Sequence, residues 1–507
     1  MSRPGFTLDV DERTQPLLVA QGTRLRLERF GLGTHVVYPG DGRPVGDPTP
    51  LVAAALASPL GTAPLAAQLH AGMALTIVIG DLGSPRPRMG SDVRRHLVEQ
   101  VLVLAAAAGV DDVAVLCANG LAKRPSDAEL TDVVGERVVR SFASTGGLLS
   151  TDATDPAYVD LGVIDGHEIR LHPRIAASDL AVNIVVTSSW STSAGLQLVA
   201  LTDVATLDWA LGLETSSDRV SAVIGLVEAS VATFTLDAAL GEPVLPDAVS
   251  FLGRREWEWR VRDQVAFATA RQALAVAPKQ AIARLFSDLA AGYPVLGVAG
   301  GARDQVHASM STVWTNAVAV QGPPASDVGV VNVWRKGSLH ADPASDPLGA
   351  AHHAVAEQPS LVEGGQLVRP GGVLVGFHPL SNRFSSRTNS VGADFFAEVL
   401  PASTDPTEIR ATFQDRFSTD PWYGELYRGR HGHHPLLTFH RWYATARAAA
   451  TYADVVWVGA DRRSAELMGF RAASTYADAL EIASGHVGRT PSITVLHGGG
   501  GSVVRVP

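Results

Sequence analysis

The sequence predicts an α/β protein of two lobes, each built on a mainly parallel sheet, with a cleft between them. Three observations lead there. Runs rich in β-branched residues, at 76–79, 112–117, 181–186, 327–333 and 454–458, alternate with stretches of helical periodicity. Several of these runs open into polar loops, and open parallel sheets place ligands at the carboxyl ends of their strands. The alternation starts afresh after Ala291-Gly292-Tyr293, so the boundary is drawn there, with 1–290 as an N-terminal domain and 291–507 as a C-terminal one whose last strand could return to the first lobe.

The first unit is a strand ending at Gly80-Asp81, followed by a helix over 91–108. Ser91 and Asp92 suit the N-cap and the first-turn acid, and Leu97, Val101 and Leu104 recur on one helical face. The strand 112–117 leads into the loop 119–125 and then a helix whose first turn carries Asp127 and Glu129. A hairpin is predicted from 161–163 and 167–171, and the strand 181–186 opens into a Ser/Thr-rich segment. Interleaved charges around Trp257 and Trp259 over 254–260 read as an amphipathic helix. The second series comprises strands at 294–298, 327–333, 372–377 and 454–458, a helix over 475–484 and a strand at 492–496 before the glycine run 498–501.

Composition narrows the function. A chain of 507 residues with 46% hydrophobic and 18% charged residues has enough apolar sequence for two or three cores, which excludes general disorder. The balance of 41 basic against 51 acidic residues, net −10, is the opposite of a nucleic-acid footprint, so small molecules are the expected partners. The single cysteine, Cys117, excludes an intramolecular disulfide framework and a cysteine-based zinc site, and fits a reducing compartment. The first fifteen residues hold no apolar signal core and the Ala-rich stretch 101–110 is too short to span a bilayer, so a cytoplasmic protein without membrane contact is expected. Only three lysines occur, Lys123, Lys279 and Lys336, which makes the place of each informative.

Candidate binding residues cluster after strands. Asp81, Arg86 and Arg88 follow the first, and arginine forks match the two oxygens of a carboxylate or phosphate. Lys123 and Arg124 follow the next, where a lysine can clamp an anion or move a proton. Trp190, Ser191 and Thr192 stand where hydroxyls and backbone amides could receive an anion at a helix start. His431, His433 and His434 form the one dense histidine cluster, whose spacing could serve a metal. The glycines 498–501 lack the spacing and following helix of a dinucleotide site and read as a turn.

Taken in order, these segments resemble the nickel-dependent lactate racemase family. Ile77-Val78-Ile79-Gly80-Asp81 with Arg86-Pro87 is similar to that family's Asp-x-Thr-Arg-Pro loop, and Asn119-Gly120-Leu121-Ala122-Lys123-Arg124-Pro125 to its Gly-x-His-Arg-Pro stretch. Leu161-Gly162 through Ala177-Ser178-Asp179-Leu180 matches the next hairpin and strand, and Val368-Arg369-Pro370-Gly371-Gly372-Val373 and Met468-Gly469-Phe470 look like later segments. The resemblance implies a lactate-racemase-like fold. It also implies a nickel pincer nucleotide, commonly bound through a lysine, one nickel-binding histidine and two acid–base histidines. Those positions depart here: they fall near Leu198, near Glu214, on Lys123 give or take one residue, and near Trp190. No lysine lies between Lys123 and Lys279, and only His167 and His172 lie between His96 and His307, which argues against nickel-pincer chemistry and leaves the cofactor unknown.

The leading expectation is therefore a divergent racemase or epimerase-type enzyme. It would act on a small hydroxy acid or sugar-acid carboxylate in the interlobe cleft. Lys123 and Lys336 would be its catalytic groups, with Asp81, Arg86, Arg88, Arg124, Trp190, Ser191 and Thr192 as its substrate contacts. The alternative is a catalytically inactive small-ligand-binding protein on the same fold. A homo-oligomer is left open, since 254–262 suits an interlobe helix or a subunit contact equally.

Overall fold

The computed structural model describes residues 5–40, 42, 44–80, 88–188, 194–333, 344–363, 365–429, 432–498 and 504–505. Two large sheets organise them, one in each lobe. The first holds six strands in the order Val295–Gly301, Ala232–Leu240, Leu180–Thr187, Ala74–Gly80, Asp112–Ala118 and Leu148–Ser150. All neighbours run parallel except the edge strand Val295–Gly301. Its central strands are apolar on both faces, as burial between two helical layers demands: Leu75, Ile77 and Ile79 enter one core cluster and Val78 the other.

The second sheet holds seven strands: Phe6–Asp9, His35–Tyr38, Ile493–Leu496, Ser326–Asn332, Val368–Phe377, Asp454–Val458 and Arg471–Ala473. Only Phe6–Asp9 is antiparallel to its neighbour. Helix Pro435–Ala449 covers one face through Phe439, Trp442 and Tyr443, and helix Tyr476–Val487 the other through Tyr476, Ala479 and Ala483. No described helix is long and apolar enough to cross a membrane.

The lobes do not divide at 290. Phe6–Asp9 and His35–Tyr38 belong to the second sheet, whereas Val295–Gly301 and helix Arg303–Val318 complete the first. The late strand Ile493–Leu496 does return to the first stretch of the chain, pairing with His35–Tyr38, but it does so within the second sheet, and Val504–Arg505 pairs with Val320–Gln321 and Val362–Glu363. The cause is long-range pairing. A four-residue apolar run such as His35–Tyr38 is placed by the distant strand it pairs with, and nothing local names that partner. The first lobe is thus an insertion in the second, and it enters and leaves at one point: a Cβ on Gly40 would stand 2.6 Å from the Ala317 carbonyl oxygen.

A second expectation also changes. Residues 254–260 form no amphipathic helix; short 3₁₀ turns occupy Asp247–Gly253 and Glu256–Glu258, and the α-helix begins only at Val261–Val276. Glu256, one of the interleaved charges of that segment, turns inward and is 5% exposed. Its carboxylate accepts from the Leu18 amide (2.7 Å), the Tyr38 hydroxyl (2.9 Å) and His497 Nε2 (2.7 Å), joining three distant segments to the turn.

Candidate functional site

In the first sheet the chain runs outward from Ala74–Gly80 to Leu148–Ser150 and then returns to the opposite side for Leu180–Thr187 and Ala232–Leu240. The order reverses between Ala74–Gly80 and Leu180–Thr187. Connections leaving these two strands diverge to opposite faces, which opens the crevice where such sheets bind ligands. Gly80 ends the first of them because a Cβ there would stand 2.9 Å from Gln197 Oε1, and Gln197 must come this close to donate from Nε2 to the Val78 carbonyl (3.0 Å).

A buried ion pair holds the same strand end. Asp92 caps helix Val93–Ala107 by accepting from the Arg94 amide (2.9 Å). The Arg94 guanidinium, 2% exposed, reaches Asp92 Oδ2 through Nη2 (2.7 Å) and donates from Nη1 to the Gly80 carbonyl (2.8 Å). The carboxylate that starts the helix therefore fixes the arginine that fixes the strand end.

The next strand end carries the loop 119–125. Gly120 adopts φ +49, the left-handed region open to glycine, and the Tyr427 hydroxyl donates to its carbonyl (2.6 Å) while accepting from the Ala153 amide (3.1 Å). The His434 amide donates to the Leu121 carbonyl (2.8 Å), so the second lobe pins this loop at two places. Beyond the pins, Lys123 Nζ donates to both oxygens of Glu129 (2.6 and 2.7 Å). Glu129 also forms the capping box of helix Asp127–Val134 with Ser126. Burial pushes its carboxyl up, but the bonds from Lys123 and Ser126 and the lysine's charge outweigh that and hold it below the usual range. Arg124 is half-buried, its Nε is fully buried without a hydrogen-bond partner, and no carboxylate among the described residues pairs with it.

Two strands from Ala74–Gly80, on Ala232–Leu240, lies Asp237, fully buried, with Oδ2 accepting from the Thr187 hydroxyl (2.7 Å). Burial pushes this carboxyl up to about 6, against weaker pulls from Thr187 and the nearby Ala238 amide. An acid with a raised folded value stabilises the fold fully below its unfolded value of 3.8 and loses that contribution as pH rises towards 6. Asp237→Asn is expected to remove a slope of roughly 3 kcal/mol across that window, read from urea midpoints of the two proteins against pH.

Of the residues singled out in the sequence, Lys123 and Arg124 stand together at this sheet end. Arg88 does not join them: it lies in the short strand Arg88–Met89 and pairs on the surface with Asp132 (2.6 Å). Asp81, Arg86, Trp190, Ser191, Thr192, Lys336 and His431 lie outside the described residues. His433 contacts the Thr388 carbonyl through Nδ1 and Thr438 through Nε2, which leaves no ring nitrogen for a metal. His434 accepts from the Leu436 amide, and burial pushes it down to about 4, a neutral imidazole built into a helix start. Among the described residues no group of three or more His, Cys, Asp or Glu side chains is placed to hold a metal ion. Sequence reading passed over Arg94, Glu256 and Asp237. Only Asp237 left a signal, as the one charge inside the apolar run 236–240.

Residues 33–187 match the model of the lactate racemase N-terminal domain. The fold is similar to the lactate racemase apoprotein from Thermoanaerobacterium thermosaccharolyticum, 14% identical, covering 97% of this chain and 100% of that one at a TM-score of 0.60. A Thermotoga maritima protein solved by structural genomics is 12% identical over 86% of this chain and 94% of its own, at a TM-score of 0.44. No curated protein sequence matches. At the positions the sequence resemblance gives to the cofactor lysine and the nickel histidine stand Leu198, wholly buried in an apolar cluster, and Glu214, paired with Arg219 (3.1 Å). These side chains do not fit a nickel pincer nucleotide held in that way.

Proposed function

We propose that this chain, whose residues 33–187 match the lactate racemase N-terminal domain and whose fold is similar to that of a lactate racemase apoprotein, takes a small hydroxy acid or sugar acid at the carboxyl ends of the first sheet and catalyses a racemase- or epimerase-type reaction without nickel-pincer chemistry. The observation that carries this reading is Arg124, a half-buried guanidinium whose Nε is buried without a partner and which pairs with no carboxylate among the described residues. A guanidinium without a carboxylate among the described residues, beside a sheet-end crevice, matches a carboxylate supplied by a ligand, with two parallel N–H donors for its two oxygens. Lys123, seated on Glu129, offers a fixed positive charge towards an enolate-like oxygen as it develops. Asp81, Arg86, Trp190, Ser191, Thr192 and the catalytic part of Lys336 remain assigned as the sequence assigns them.

Arg124→Gln is expected to weaken binding of the best ligand from a panel of 2-hydroxy acids and aldonic acids by about 10- to 100-fold, since a hydrogen bond to a charged group is worth about 1.5–3 kcal/mol. Calorimetry or ligand-induced thermal shift reads this directly. Equal affinity in the variant would overturn the assignment.

The binding-only reading is favoured by one observation: both contacts of the Lys123 ammonium are to Glu129, so among the described residues no free amine stands at this strand end. Proton exchange at the α-carbon of the bound acid in heavy water separates the readings. Exchange supports the enzyme, whereas saturable binding with no exchange supports the binding protein.

A further inference from the structure

Three fully buried side chains on one face of the first sheet carry polar atoms without a partner: Asn183 Nδ2 and Oδ1, Thr235 Oγ1 and Asp237 Oδ1. They are neighbours by register. Asn183 stands opposite Thr235 in the parallel pair, and Asp237 follows Thr235 by two residues on the same face. A buried donor or acceptor without a partner forfeits its hydration and receives nothing in return, and four such atoms in one patch exceed what a sheet interior tolerates.

The donor set decides what fills the gap. A cation would satisfy the three oxygens and confront the Asn183 amide hydrogens with like charge. An anion would suit the amide and confront Asp237. Water donates and accepts at once and serves all four atoms. We infer that ordered water is held between Asn183, Thr235 and Asp237, and that Asp237 and Thr187 connect it as a proton path to the carboxyl end of strand Leu180–Thr187. Thr187 is the half-buried last residue of that strand, and its hydroxyl already donates to Asp237 Oδ2 at 2.7 Å.

The transfer balances without any further reactant. A proton arriving at the outer lone pair of Thr187 Oγ1 is bound there as the hydroxyl passes its own proton to Asp237 Oδ2. The carboxylate becomes a neutral acid, and the reverse step returns the proton. Asp237 suits this store because burial pushes it up to about 6. The titratable groups on the helices packed against strand Ala232–Leu240 are taken elsewhere: Arg303 pairs with Glu228 and Asp304 (2.8 Å each), and His307 faces Ser311. None contributes to the Asp237 shift. Use of the path in chemistry rests on the ligand site proposed above, whereas the water and the titration do not.

The test uses the full chain without ligand. High-resolution crystal or neutron structures at about pH 4 and about pH 8 should show a water within hydrogen-bond distance of at least three of the four atoms. Carbon-13 NMR titration of Asp237 should move its midpoint upward in Thr187→Val, which removes a bond to the ionised form, and again in Thr235→Val, which removes a water partner without changing side-chain volume. Should Thr235→Val not fold, Asn183→Leu makes the same test. A dry interior in which Asn183 bonds directly to Thr235 or Asp237 overturns the proposal, as does a midpoint unmoved by Thr235→Val. Failure of the acid panel to bind, with the water and the shifts present, would remove the ligand reading and leave this one standing.

Discussion

Arg94→Met is expected to lower the stability of the first lobe by about 3–5 kcal/mol, because it leaves the Asp92 carboxylate in the protein interior without its countercharge. The size follows from burial. Both side chains are at most 5% exposed, so neither water nor salt replaces the lost partner. Arg94→Lys should recover little, since a single ammonium cannot reach both Asp92 oxygens and the Gly80 carbonyl at once. Removing both charges with Asp92→Ser and Arg94→Met should cost less than Arg94→Met alone, because serine keeps the cap and no charge is stranded. Urea unfolding of the four proteins measures all of this. A loss below about 1 kcal/mol for Arg94→Met would mean that the pair is hydrated.

Glu256→Ala is the second large effect, at about 3–5 kcal/mol, because it empties three bonds at one stroke: the Leu18 amide, the Tyr38 hydroxyl and His497 lose their acceptor together. Glu256→Gln keeps the shape but presents an amide nitrogen that cannot accept, and should lose an intermediate amount. The pH dependence separates charge from shape. Burial pushes the Glu256 carboxyl up, but the charge of His497 and the hydrogen bonds to it outweigh this and hold it below its usual value of 4.5. A depressed carboxyl contributes stability in full above 4.5 and loses it as pH falls through the folded value. The gap between wild type and Glu256→Gln should therefore close as pH drops below 4.5, and a gap constant with pH would deny the charge any part.

What the sequence disclosed and what it withheld divide by range. The strands at 74–80, 112–118 and 180–187 and the helix after the first were legible because their apolar pattern and caps are local. Lys123 and Arg124 were legible because a loop after a parallel strand is a site wherever that strand goes. The membership of His35–Tyr38 in the second sheet was not, since its neighbour Ile493–Leu496 lies at the far end of the chain. Glu256 was misread for a related reason. Among alternating charges its letter looks solvated, and only the arrival of Leu18, Tyr38 and His497 makes it an interior acceptor. Arg94 was hidden by its twin Arg95, which points outward to Glu99 (3.1 Å, half exposed) while Arg94 points in.

The insertion of one lobe within the other sets a timetable for the ribosome. His35–Tyr38 is made early, yet the strand it lies beside emerges roughly 450 residues later, which at about 5–20 residues per second is a delay of roughly 20–90 s. During that interval the inserted lobe, whose strands all lie between 74 and 301, can close on its own. His35–Tyr38, paired with Phe6–Asp9 on one side, meanwhile waits with its other edge open until Ile493–Leu496 arrives. Slow synthesis or a shortage of chaperones would expose that edge longest, so aggregation of the nascent chain should begin at its first forty residues rather than at its larger and more apolar interior.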